Sequence, residues 1–367
     1  MAGDLLYKIA LTLIPGIGDV LVKNLVNYCG NPEAVFKEKK SCLLKIPGVG
    51  PATVNSVFKS KEQKRAEEEI AFIEKNNIRP LFFTDFDYPL KLRLCHDGPA
   101  MIYFKGNANL NTDKIVGVVG TRRPTQYGKT VTEELISALK EKGIMIVSGL
   151  AYGIDIMAHS LCLENGIQTI GVLAHGLDRV YPGMHSSIAK RMESNGGVLS
   201  DFLSGTKPDR ENFPKRNRVV AGLCDAVVVI ESKMDGGSMI TADIAHSYNR
   251  DVMAYPGKAL DEYSNGCNYL IKRNKAAMIE NAGDLFYHMN WDLNHKKVKK
   301  QLQQSLPLHL NEDESKLYDL IREKRKIHMD EMCQHLSLSV SKISAILFEL
   351  EVQNLVISLP GKFYCLP

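Results

Sequence analysis

The sequence predicts an α/β protein built on a doubly wound parallel sheet, and three observations predict it. From about residue 80 to 288, short apolar runs alternate with segments of helical periodicity, the pattern of strands joined by helical crossovers. Before that block, residues 1–77 carry a doubled Pro-Gly-apolar-Gly pattern, each copy followed by a helical one. After it, residues 289–308 are polar, basic and Gln-rich, and read as a linker to a last compact segment, 309–367.

Bulk composition sets limits without naming a partner. At 367 residues the chain exceeds one ordinary core, so roughly two to four domains are expected. The net charge of +4 leaves any polyanion site to local clustering. No stretch reaches the roughly 18 apolar residues of a membrane helix, so no membrane partner is expected. The eight cysteines show no CxxC pair, which reads as reduced thiols in a cytoplasmic protein. With ten dispersed histidines and no HExxH, neither a metal nor a cofactor is expected.

In the first segment, "LIPGIGDVLVKNLV" (13–26) is echoed by "KIPGVGPATVNSVF" (45–58) thirty-two residues later. The glycines permit a tight turn, and the turn exposes amides at the next helix start. The pair resembles two helix-hairpin-helix motifs, which in many proteins hold nucleic-acid backbones; a plain turn within a small helical bundle explains the pattern equally well. A polar helix follows, "KSKEQKRAEEEIAFIEKN", whose mixed charges suit a solvent-facing connector.

Within residues 78–288 the expected strands are Ile115–Gly120, Ile144–Ser148, Thr169–Leu173, Ala226–Ile230 and Val252–Tyr255. Helical patterns lie between them, through 135–142, 154–165, 186–194 and 241–249. This is an extended Rossmann-like domain, and in such sheets ligands sit beyond the carboxyl ends of the strands. The tail, 309–367, reads as helices over 314–323, 330–335 and 341–353, then two apolar runs around Pro360-Gly361. That order resembles a winged helix. Residues 311–367 hold seven Lys/Arg against nine Asp/Glu, net −2, which favours a protein-contact or regulatory role over DNA reading.

Four strand ends carry glycine-rich or basic turns. After the first comes "GTRRPTQYGKT", where Gly120 and Gly128 stand eight apart. That excludes the five-residue step of a P-loop, and GxGxxG is absent too. Gly120, Thr121, Arg122 and Arg123 remain as a basic turn whose arginines can fork onto phosphate. "SGLAYGIDIMAH" supplies Ser148, Gly149 and Gly153; Asp155 can cap the next helix, and His159 suits a packed polar network better than catalysis. "LAHGLDRVYPGMH" adds Gly176 and Arg179. "MDGGSMITA" adds an amide nest at Gly237, with Ser238 and Thr241 as donors or caps. "NFPKRNRVVAGL" brings Phe213, Lys215, Arg216, Asn217 and Arg218 ahead of a buried strand. Each turn alone is ordinary. Their shared edge of one sheet makes a backbone-phosphate grip the stronger reading.

Taken in order, "VGTRRPTQYG", "SGLAYGIDIMAH", "GLDRVYP", "FPKRNRVVAGL", "GGSMITA", "AYPG" and "NGCNYLI" resemble the DNA-processing protein A (Smf) family over roughly residues 80–290. The resemblance implies a cytoplasmic, non-enzymatic protein that binds single-stranded DNA on an extended Rossmann fold. It also implies a homodimer, protection of incoming strands in natural transformation, and loading of the recombinase RecA onto them. By motif, Arg122 matches the family's Gly-x-Arg arginine, and Arg216, Asn217 and Arg218 its Pro-x-Arg-Asn-Arg element, so that Arg216 and Arg218 are expected to face the strand. Thr121 stands where serine is usual. Tyr152 replaces an often basic residue and could stack on a base, and His185 replaces an often-found asparagine.

Two rivals make different demands. A nucleotide hydrolase of the lysine-decarboxylase-like type resembles PGGxGTxxE at its phosphate turn, but "DGGSMITADI" lacks the third glycine and the glutamate. A winged-helix transcription regulator would need a basic recognition helix, whereas "SVSKISAILFELEVQN" offers one Lys and two Glu.

Overall fold

A computed structural model describes residues 2–60, 62–291, 311–324, 326–336, 338–353, 355–359 and 363–366. It divides into two compact units, 1–293 and 294–367.

The first unit holds a nine-stranded sheet: β1 (Arg79–Phe82), β2 (Met101–Gly106), β3 (Ile115–Val119), β4 (Met145–Ser148), β5 (Thr169–Leu173), β6 (Gly196–Ser200), β7 (Ala226–Val229), β8 (Asp251–Ala254) and β9 (Ala277–Met278). Their order is β1-β2-β6-β5-β4-β3-β7-β8-β9, parallel from β6 through β9. The strands β1 and β2 run antiparallel at one edge. From β3 the chain winds outward through β4, β5 and β6, then returns to the other side of β3 as β7. The carboxyl ends of β3 and β7 therefore bound the switch point where such folds open a crevice.

The apolar runs read as continuous because both faces of the sheet are covered. Successive residues of β3 point to opposite cores: Ile115 and Val119 join one, Val116 and Val118 the other. On the first face lie the helices Asn212–Leu223 and Gly237–Ser247; on the second lie Gln126–Ala138, Ile154–Glu164 and Ala282–His288.

Four strands escape the sequence pattern, for local reasons. The edge strand β1 contains Pro80, which cannot donate to a ladder. Its neighbour β2 enters the sheet antiparallel, outside the strand-helix rhythm. The strand β6 opens on Gly196-Gly197, where a side chain would strike the Thr169 backbone and the Phe104 ring. The last, β9, is two residues long.

The helical segment belongs to the same compact unit as the sheet. Its two hairpins match atom for atom: Ile17 N donates to Ile14 O at 3.1 Å, and Val49 N to Ile46 O at 3.0 Å. Gly16 and Gly48 both take a positive φ, 80° and 81°. The polar helix, observed as Gln63–Lys75, is no solvent-facing connector. It buries Ala66, Glu69 and Ile73, and the Glu69 carboxylate accepts from Ser204 N and Oγ.

The second unit packs helices Glu312–Lys324, Met329–Leu336 and Val340–Val352 around Leu317, Ile321, Met332, Ile343, Leu347 and Leu350. Beside them lies an antiparallel sheet of β10 (Lys326–His328), β11 (Ile357–Leu359) and β12 (Phe363–Cys365), ordered β10-β12-β11. The three helices are those expected, and β10 is an addition. The expected turn at Pro360-Gly361, and the linker from residue 292 onward, lie outside the described residues. No described helix is long and apolar enough to cross a membrane. No cluster of His, Cys, Asp or Glu suited to a metal occurs among the described residues.

Candidate nucleic-acid interface

At the switch point a cavity of about 460 Å³ opens over the ends of β3, β4 and β7. Its lining carries four cations, Arg122, Arg210, Arg216 and Lys233, against two carboxylates, Asp155 and Asp235. Of the sequence-predicted residues, Gly120, Thr121, Arg122, Gly149, Phe213, Arg216, Asn217, Gly237, Ser238 and Thr241 all line it.

Helix Asn212–Leu223 runs back toward β7, so its first turn lies at the carboxyl edge of the sheet. Helical spacing then sorts its motif onto two faces. Phe213, Arg216, Asn217 and Val220 meet the large cavity. Lys215 and Arg218 meet a second cavity of about 200 Å³ beside Asp19 and Asp201.

Arg216 is 4% exposed, and its Nη1 donates to the carbonyls of Gly149 and Val172. Its Nε donates to Asn217 Oδ1 at 3.2 Å, and Asn217 Nδ2 reaches Gly237 O at 3.3 Å. The guanidinium is thus locked into the cavity wall. Asp155 does not cap its own helix; its Oδ2 accepts from Gly149 N (3.1 Å) and Ala151 N (3.4 Å). Burial pushes the Asp155 carboxyl up and the Arg216 guanidinium down, and each charge opposes the other's shift.

Arg122 is exposed, with its guanidinium 5.4 Å from the centre of the Phe213 ring. Phe213 in turn lies 6.5 Å from the Tyr181 ring. Opposite them, helix Gly237–Ser247 presents its amino end, and the 236–238 turn is held by Ser238 Oγ donating to Ser232 Oγ at 2.7 Å. Thr241 Oγ1 donates within the helix to Gly237 O at 3.3 Å. Exposed arginine, aromatic ring and helix amides therefore surround one opening, an arrangement suited to a phosphate next to a planar base.

The remaining expected residues have other places. Arg218 is turned away from the large cavity: Nη2 donates to Asp19 Oδ2 (2.7 Å) and Asp201 Oδ2 (3.0 Å), and Nη1 to Asp97 O. It closes a partly buried ion-pair cluster instead of facing a strand. Ser148 is fully buried, donating to Val118 O at 2.6 Å. Gly153 sits at φ +78° against the Thr121 carbonyl, so its role is the close approach of two loops. Gly176 packs on Leu203 O and Asp178. Arg179 pairs with Asp178 at 2.7 Å outside the large cavity, and Lys215 is exposed beside the smaller one. Arg123 is exposed, its amide donating to Thr121 Oγ1 at 3.1 Å.

Tyr152 stacks edge-on to His185 at 5.2 Å, and His185 Nδ1 is engaged with Leu150 O at 2.9 Å. His159 is a packed network histidine. Thr169 Oγ1 gives its proton to Ile146 O, so His159 Nδ1 donates to that hydroxyl at 2.7 Å. Burial lowers its pKa to about 3, which keeps it neutral. Sequence reasoning passed over Arg210 and Lys233, whose only signal is a basic side chain near a named motif.

Together the fold and cavity define a Rossmann-like protein with an arginine-lined crevice at its switch point. The family model for DNA recombination-mediator protein A matches residues 79–290, and that for the DprA winged helix domain matches residues 302–362. The chain belongs to the DNA recombination-mediator protein A family. It is 36% identical over 280 residues to Protein Smf of Synechocystis, covering 74% of this chain and 69% of that one. Over 218 residues it is 38% identical to DNA processing protein DprA of Bacillus subtilis, covering 59% and 73%. The X-ray structure of DNA processing protein A from Streptococcus pneumoniae superposes with a TM-score of 0.67 at 32% identity, over 77% of this chain and 97% of that one. The Helicobacter pylori protein, described for its single-stranded DNA binding mode, superposes with a TM-score of 0.53 at 30% identity, over 59% and 96%.

Proposed function

We propose that this chain binds single-stranded DNA without sequence preference, laying the sugar-phosphate backbone across the switch-point cavity. The observation that carries this reading is the meeting of Arg122, Phe213, Arg216 and the Gly237–Ser238 amides around one opening. Arginine and amide donors take phosphate oxygens whatever the base, and a ring accepts any base face. The description of the Helicobacter pylori relative supports the choice of single strands. Binding fits the site better than catalysis, because Asp155 is occupied by two amides and His159 is fully buried, outside the cavity lining. Protection of strands in natural transformation, hand-off to the recombinase RecA, pairing of two copies and a cytoplasmic setting complete the proposed role, and rest on family membership.

The test is fluorescence anisotropy with labelled single strands of several sequences and the matching duplexes, across a salt series. Single strands should bind more tightly than duplex and with similar affinity whatever their sequence. Arg122→Ala should weaken all of them and flatten the log–log salt slope by roughly 0.7. Tighter duplex binding, or an unchanged Arg122→Ala, would overturn the proposal.

A further inference from the structure

We infer that Glu231 is the positioning residue for the Arg122 loop, an inference that rests on the DNA-binding reading above. Glu231 follows β7 and is 1% exposed. It holds the neighbouring loop at both ends. Its carbonyl accepts from Thr121 N at 2.8 Å. Its carboxylate accepts from Thr125 N at 2.9 Å through Oε2, and from Thr125 Oγ1 at 2.5 Å through Oε1. Between those anchors stand Arg122, Arg123 and Pro124.

The same carboxylate sets what may lie beside it. A side chain at Gly128 would occupy the space of the Glu231 carboxylate, which gives the glycine of "QYGK" a packing reason. Thr125 Oγ1 also accepts from Gly128 N at 3.3 Å, capping helix Gln126–Ala138. Helix start, loop and strand β7 are thereby fastened at one carboxylate. An acid so close to a phosphate site would repel the ligand if it faced the opening. Here its charge is spent inside the wall, holding the loop that presents the arginine.

The experiment is a double-mutant cycle read by anisotropy with labelled oligothymidine. Arg122→Ala and Glu231→Ala should each weaken binding by roughly tenfold. The double variant should lie within about twofold of Arg122→Ala alone, because Glu231 acts through that loop. Glu231→Gln keeps an acceptor for Thr125 N and should restore most of the affinity. Thr125→Val removes one donor to the carboxylate and should give an intermediate loss, so the test holds even if Glu231→Ala fails to fold. As a control, Asp225 at the opposite end of β7 accepts from Ile115 N (2.8 Å) and Lys91 Nζ (2.6 Å). Asp225→Ala should cost stability and leave affinity unchanged. If Arg122→Ala weakens binding while Glu231→Ala does not, or if the two losses add, the positioning role is wrong. If Arg122→Ala itself binds normally, the DNA-binding reading of the loop falls, and this inference with it.

Discussion

Arg218 Nη2 donates to Asp19 Oδ2 at 2.7 Å, joining the first hairpin of the helical region to the helix that carries Arg216. The other Asp19 oxygen accepts from Ala100 N at 2.8 Å. This hairpin's helix start therefore faces the sheet through a carboxylate, and the Pro-Gly turn serves docking. One arginine motif thus does two jobs on two faces of a helix, a wall of the large cavity at Arg216 and a brace at Arg218.

Removing the brace should cost stability first. Arg218→Ala leaves Asp19 and Asp201 without their shared cation, and for a cluster only partly buried the cost should be about 1–3 kcal/mol, below that of a fully buried pair. Urea unfolding should show a loss of about that size. The salt slope of DNA binding should stay at the wild-type value, because no phosphate contact is lost. A flattened slope with stability intact would instead make Arg218 a phosphate contact.

The same cluster predicts an unusual pH dependence. Burial raises the Asp201 pKa to about 6; the Asp19 charge adds to the rise and Arg218 opposes it. With two carboxylates sharing one guanidinium, Asp201 is the surplus charge. Its folded pKa lies above the unfolded value near 4, so between about pH 4 and 6 the native state binds more protons than the unfolded state. This site's contribution to stability therefore falls as pH rises through that window, by at most about 3 kcal/mol. Asp201→Asn should flatten the pH profile of urea stability between pH 4 and 7. A wild-type profile that rises throughout that range and is unaffected by the variant would refute the assignment.

Those two residues show where the sequence stops being legible. The alternation of β3 between two cores, the parallel order and the gathering of basic turns at one edge all follow from local pattern and sheet geometry. The face on which Arg216 and Arg218 lie depends on where the helix docks, and on Asp19, nearly two hundred residues away. Nothing near "PKRNR" announces that partner. The strand β6 is hidden by Gly196-Gly197, whose reasons are the Thr169 backbone and the Phe104 ring on the two neighbouring strands. Ser148 and Gly153 bear the right signal for the wrong reason: both build the turn behind the cavity.

Phe213 separates base stacking from charge. The Arg122 guanidinium lies 5.4 Å from its ring centre, and the Tyr181 ring lies 6.5 Å away, tilted by 55°. Phe213→Ala should weaken single-strand binding by about 1–3 kcal/mol, the size of one lost base stack. The salt slope should stay nearly unchanged, since the phosphate donors remain. Calorimetry across a salt series separates the outcomes: a loss confined to the slope would place Phe213 outside the stacking surface.

Gly149 and Gly237 provide the sharpest contrast, because the sequence treats them alike as glycines at ligand-side turns. A Cβ at Gly149 would fall on the Arg216 guanidinium, which is held by the carbonyls of Gly149 and Val172. Gly149→Ala must therefore push a buried cation off its acceptors, at a cost of about 2–4 kcal/mol. Gly237 has nothing within 4 Å of such an atom, and it begins a helix. Gly237→Ala keeps the amide donors and should change stability by less than about 0.5 kcal/mol. Affinity should follow the same order, lost with Gly149→Ala and kept with Gly237→Ala. Equal behaviour of the two in thermal unfolding and anisotropy would mean that Arg216 is not held in the cavity wall by the 149 turn.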